Sequence, residues 1–120
     1  MSYIEHNTVV MVGGENVIKE AYKMTFEIFR EYGGDTRCIS GLIDNLVNGY
    51  ASFYIAPIGS SVGWESYEGH IGCIEHIIDM LEDIGNIDYF WAKFGGDYAD
   101  DTGYNVNIVK TYDPFDIEEG

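Results

Sequence analysis

Basic side chains are scarce in this sequence: 120 residues hold 6 Lys and Arg against 21 Asp and Glu, for a formal net charge of -15. A chain so poor in cations repels nucleic acid, anionic lipid and other acidic proteins, which excludes direct nucleic-acid binding and makes a basic protein the natural partner. Long hydrophobic runs are missing too. No stretch approaches the roughly 18 apolar residues of a membrane span. The opening Met1-Ser2-Tyr3-Ile4-Glu5 has neither a basic nor an apolar signal region, so a cytoplasmic protein without a membrane segment is expected. Cysteine is limited to Cys38 and Cys73, too few for a disulfide scaffold, and buried free thiols are expected. The paired glycines at 13-14, 33-34 and 95-96 lack both G-x-x-x-x-G-K-[ST] and G-x-G-x-x-G spacing, which removes phosphate cradling and leaves turns.

What the chain does have is apolar and aromatic material. It is 46% hydrophobic, with 10 Tyr, 6 Phe and 2 Trp, whereas disordered acidic chains are poor in aromatics. One globular domain over residues 1–112 is expected, followed by an acidic C-terminal tail over 113–120. Residues 3–12 alternate Ile4, Thr8, Val10 and Val12 against polar positions and predict a strand ending at Gly13-Gly14. From Glu15 to Tyr32, Val17, Ile18, Ala21, Tyr22, Thr25, Ile28, Phe29 and Tyr32 recur at helical spacing. Asp35 or Thr36 can cap a second helix with Ile39, Leu42, Ile43, Leu46 and Val47 on one stripe, ended by Asn48-Gly49. Tyr50–Ala56 predicts a strand and residues 57–66 a loop around Trp64. A third helix over about Tyr67 to Ile84 buries Ile71, Ile74, Ile77, Ile78, Leu81 and Ile84. Alternation over 87–94 and 104–112 predicts two strands of a hairpin. The order β-α-α-β-α-β-β implies an α+β domain with a mainly antiparallel sheet of about four strands and three helices.

The negative charge is unevenly placed. Residues 1–60 hold 7 acids and 4 bases, and residues 61–120 hold 14 acids and 2 bases, so the halves carry -3 and -12. The third helix presents Glu68, Glu75, Asp79, Glu82 and Asp83 with no Lys or Arg between Tyr67 and Tyr89. Its like-charge pairs at i,i+4, Glu75 with Asp79 and Asp79 with Asp83, each cost a helix roughly 0.2 to 0.5 kcal/mol. Acids in its last turn also oppose the helix dipole. The first helix differs, since Glu15 with Lys19 and Glu27 with Arg30 are favourable pairs. Asp97, Asp100 and Asp101 in the hairpin loop extend the acidity, and Trp64 and Tyr98 are candidate aromatic anchors for a protein partner.

Other chemistry has weaker spacing. Cys73-x-x-His76 supplies two ligands where a closed zinc site needs four. The Asp97 to Gly103 loop misses the calcium-loop register. Two carboxylates could serve a glycosidase, yet a chain this short leaves little material for a deep cleft. No catalytic residue, metal or cofactor is therefore assigned, and the chain is not expected to be an enzyme. In composition and size it is similar to the small acidic inhibitors with which phages and mobile elements oppose restriction or CRISPR nucleases, many of them DNA mimics. That resemblance implies an anti-restriction or anti-CRISPR inhibitor acting in the host cytoplasm. It would occupy the DNA or RNA groove of a basic nucleic-acid-handling protein through Glu68, Glu75, Asp79, Glu82, Asp83, Asp97, Asp100 and Asp101. The alternative is a small interaction or assembly module, able to form a homodimer, whose acidity serves only solubility.

Overall fold

The computed structural model describes residues 4–95 and 107–112. It is an α+β arrangement in which two α-helices lie on a four-stranded antiparallel sheet. In chain order the elements are β1 (His6–Gly14), α1 (Glu15–Glu31), β2 (Tyr50–Ile55), α2 (Glu65–Ile84), β3 (Ile87–Phe94) and β4 (Asn107–Thr111). The sheet order is β2-β1-β3-β4, with every neighbouring pair antiparallel. No helix among the described residues is long and apolar enough to cross a membrane. The expected tail over 113–120, the loop residues Asp97, Tyr98, Asp100 and Asp101, and positions 104–106 of the last expected strand lie outside the described residues.

Strand β1 shows why this sheet has two distinct faces. Its run Val9-Val10-Met11-Val12 is apolar at every position, so period-two alternation cannot decide which side turns inward. The structure buries Asn7, Val9, Met11 and Gly13 under the helices, while Thr8, Val10 and Val12 take the opposite face. The phase suggested by alternation of Thr8, Val10 and Val12 is thus corrected, because both faces are apolar. Strands β2 and β3 continue the inner layer with Ala51, Phe53, Ile55, Ile87, Tyr89 and Trp91.

The helices close over that layer through apolar stripes. Helix α1 contributes Ile18, Ala21, Thr25 and Phe29, and α2 contributes Cys73, Ile74, Ile77, Ile78 and Leu81. Gly34, just beyond α1, lies where an added Cβ would stand 2.5 Å from Phe29 Cδ2 and 2.6 Å from Cys73 Sγ. Only glycine permits that approach of the two helices. Helix α2 stops at Gly85, whose φ of 77° and ψ of 167° fall in a region that essentially only glycine adopts. Both cysteines are free and buried, and burial pushes both thiols up from their ordinary pKa.

The expected second helix does not form. Asp35 does cap a helical turn, accepting from the Arg37 amide, but the turn is a three-residue 3-10 segment, Thr36–Cys38. The chain then runs extended along the outer edge of β2. Ser40 N donates to Tyr54 O at 2.9 Å, Ile43 N to Ser52 O at 2.9 Å, and Leu46 N to Tyr50 O at 3.0 Å. Those edge bonds satisfy backbone groups that a helix would satisfy internally, and Asn45 and Asn48 adopt positive φ of 58° and 64°, outside the helical region. Tertiary pairing overrides the three-to-four spacing of Ile39, Leu42, Ile43, Leu46 and Val47. Ile39 is buried, whereas Ile43, Leu46 and Val47 stay exposed.

Candidate protein-binding surface

Helix α2 starts at Glu65, two residues earlier than its apolar spacing predicts, with Trp64 at the N-cap. Its inward stripe fixes the orientation of its outer side. Glu65, Glu68, Glu75, Asp79, Glu82 and Asp83 are all exposed. At about 3.6 residues per turn they fall within a sector of roughly 100°, and from Glu65 to Asp83 the stripe runs roughly 27 Å. The structure therefore brings the five helix acids singled out by sequence onto one face and adds Glu65. Trp64, 57% exposed, stands at the N-terminal end of that stripe.

Few cations offset this surface. Among the described residues Lys19 pairs with Glu15 at 2.7 Å and Asp44 at 4.0 Å, Arg37 with Asp35 at 2.7 Å, and Lys93 with Glu5 at 3.6 Å. Only Lys110 reaches the α2 stripe, 3.1 Å from Glu82 Oε2. Tyr89 also donates to that oxygen at 2.6 Å. The Tyr89 hydrogen bond, then Lys110, lowers the Glu82 pKa, while burial, then the Glu82 contact, raises that of Tyr89. Glu82 is thus already engaged within the fold. Glu65, Glu68, Glu75, Asp79 and Asp83 enter no ion pair among the described residues.

A groove of about 470 Å³ runs beside the stripe, lined by Glu75, His76, Ile78, Asp79, Trp91 and Lys110. It sets two carboxylates and the Lys110 ammonium beside Ile78 and Trp91. His76 stacks on Tyr32 with ring centroids 3.8 Å apart, and Cys73, one turn earlier on α2, is fully buried. Of the pair Cys73-x-x-His76, the thiol is thus buried and the imidazole is exposed. No group of three or more His, Cys, Asp or Glu among the described residues could hold a metal ion.

A buried polar network anchors α2. Tyr67 donates to Glu5 Oε1, and Asn7 Nδ2 donates to the Tyr67 hydroxyl at 3.4 Å. Trp91 Nε1 donates to Asn7 Oδ1 at 2.9 Å. His70 Nε2 lies 3.3 Å from the Asn7 carbonyl oxygen, so that nitrogen carries the proton. Burial, followed by the Glu5 contact, pushes Tyr67 up to about 12. Burial lowers the pKa of His70, keeping it neutral. Glu5 and Asn7 occur in phase with Val9 and Met11 on β1, which is the only sequence signal for their burial. The network joins β1, β3 and α2, and so sets the direction in which the acidic stripe faces.

No protein-family model matches the chain, and no curated protein matches its sequence. Among solved structures it is similar to a phage SAM lyase in complex with S-methyl-5'-thioadenosine, with 15% identity over 89% of this chain and 87% of that chain and a TM-score of 0.45. It is also similar to the adenylyl cyclase CyaB from P. aeruginosa, with 12% identity over 92% of this chain and 68% of that chain and a TM-score of 0.22. Likeness at this level fixes neither a family nor an activity.

Proposed function

We propose that the protein is a non-enzymatic, phage-type inhibitor that binds a basic nucleic-acid-handling protein, such as a restriction or CRISPR nuclease complex, and blocks its DNA or RNA groove. One observation carries this reading. Glu65, Glu68, Glu75, Asp79 and Asp83 share one face of α2 and have no ion-pair partner among the described residues. At about 1.5 Å rise per residue these carboxylates stand roughly 4.5 to 10.5 Å apart along the helix axis, a spacing that a row of Lys and Arg meant for phosphates can engage. Trp64 supplies an exposed aromatic at the end of the row, the residue type that dominates interface energetics. Asp97, Tyr98, Asp100 and Asp101 are assigned to the surface from sequence alone.

Affinity capture from a host lysate, eluted along a salt gradient, tests the reading. A nucleic-acid-binding protein should be retained, should leave the column as salt rises from about 0.1 M to about 1 M, which shortens the Debye length from about 10 Å to about 3 Å, and should be displaced by its own DNA or RNA. Capture that resists both salt and nucleic acid would rule out mimicry.

A further inference from the structure

The helices cover one face of the sheet, and among the described residues nothing covers the other. The strand registers place Tyr54, Val10, Phe90 and Thr111 in one row across that face, and Thr8, Ala92 and Ile108 in another. Ile43, on the edge segment opposite Ser52, extends a third row through Val12 to Asp88. Four large apolar side chains of this face are well exposed: Ile43 51%, Tyr54 45%, Phe90 38% and Ile108 55%. In a chain of net charge -15, Asp88 is the only charged side chain in these rows.

We infer that this open sheet face is a self-association surface whose occupant is the same face of a second copy. Charge favours that occupant. A basic partner is drawn to the α2 side, whereas two copies with the same large negative charge can approach only through a nearly neutral patch. Face-to-face stacking leaves both α2 stripes on the far sides. At about 10 Å between stacked sheets and about 10 Å for each helix layer, the stripes stand about 30 Å apart, well beyond the Debye length of about 8 Å at physiological salt. Area agrees. Five extended segments about 4.8 Å apart and about six residues long present roughly 500 Å² in projection. Two copies then remove about 1,000 Å², the size at which a specific interface begins.

The test is the solution mass of the full chain by light scattering across micromolar concentrations, for the parent and for Phe90→Lys and Tyr54→Lys. Both substitutions fall at exposed positions, and melting temperature reports whether the fold survives. Twice the chain mass for the parent, reduced to single-chain mass in both variants with melting unchanged, is expected. Raising salt should strengthen the parent pair, because it screens the repulsion between copies and leaves the apolar contact intact. Ile108→Lys, on the exposed edge strand, replaces Phe90→Lys if that variant does not fold. A parent that stays at single-chain mass at every concentration overturns the inference, and so does a pair that the lysines leave intact. Charge reversal on α2 should not change the mass, which separates this surface from the inhibitor reading.

Discussion

Helices α1 and α2 lie on the same face of the sheet and each turns a buried stripe toward it, yet their outer sides differ in kind. On α1, Glu15 bonds Lys19 at 2.7 Å and Arg30 lies over the Phe26 ring, 5.6 Å from its centroid. Arg30 therefore uses its neighbouring aromatic, where sequence spacing pairs it with Glu27. On α2 the outer side is acidic from Glu65 to Asp83, and no basic residue occupies the last turn. The comparison separates what folding requires of a helix from what it leaves open. Burying Ile74, Ile77, Ile78 and Leu81 contributes about 1.5 to 3 kcal/mol each, whereas each like-charge pair costs only about 0.2 to 0.5 kcal/mol. Packing tolerates the acidic face without needing it, so the reason for that face lies outside the fold.

The sharpest way to break the contrast is to reverse the charge of α2 alone. With Glu75→Lys, Asp79→Lys and Asp83→Lys combined, affinity for the captured partner should fall by about a hundredfold or more, since like charges brought together at an interface cost several kcal/mol. The circular dichroism spectrum should stay native. Lys19→Glu with Lys23→Glu on α1 should leave affinity in place, and equal losses from both sets would show that only net charge matters. A second change separates the helices by their anchoring. Asn7→Ala removes the partner of Trp91 and Tyr67 beneath α2, and denaturant unfolding should show a loss of about 2 to 3 kcal/mol for the stranded buried groups. A loss below about 0.5 kcal/mol would mean that the network contributes little beyond filling space.

The smallest effect concerns His70. Burial holds its pKa below the ordinary value of 6.5, so the unfolded chain binds that proton more readily. Its contribution to stability is complete above about pH 6.5 and declines as pH falls through the lowered folded value. Melting curves at pH 7 and pH 5 for the parent and His70→Gln should therefore converge toward the acid end. Parallel curves would show that His70 does not titrate on unfolding.

Legibility of the fold followed the strength of the local pattern. Residues 15–32 and 67–84 carry long, consistent helical periods, and the structure places α1 and α2 there within two residues. Residues 35–48 carry the same spacing on a weaker base, with Gly41, Asn45 and Asn48 inside it, and the edge of β2 captured the segment. Acid clustering on α2 could be read from spacing, because a helix converts sequence intervals into angles. The polar network could not, since Glu5, Asn7, Tyr67, His70 and Trp91 come from three elements and meet only through the sheet register.

Both margins of that sheet are blunted. The extended segment from Cys38 to Leu46 occupies the outer edge of β2 through backbone bonds and then turns away at its positive-φ asparagines. At the other margin β4 is 5 residues long and carries Lys110, with a register irregularity opposite Trp91 and Ala92. Short strands, lysines and bulges are the devices that stop strand-by-strand addition. Among the described residues both sheet edges are therefore shielded against strand-by-strand addition when the protein is concentrated.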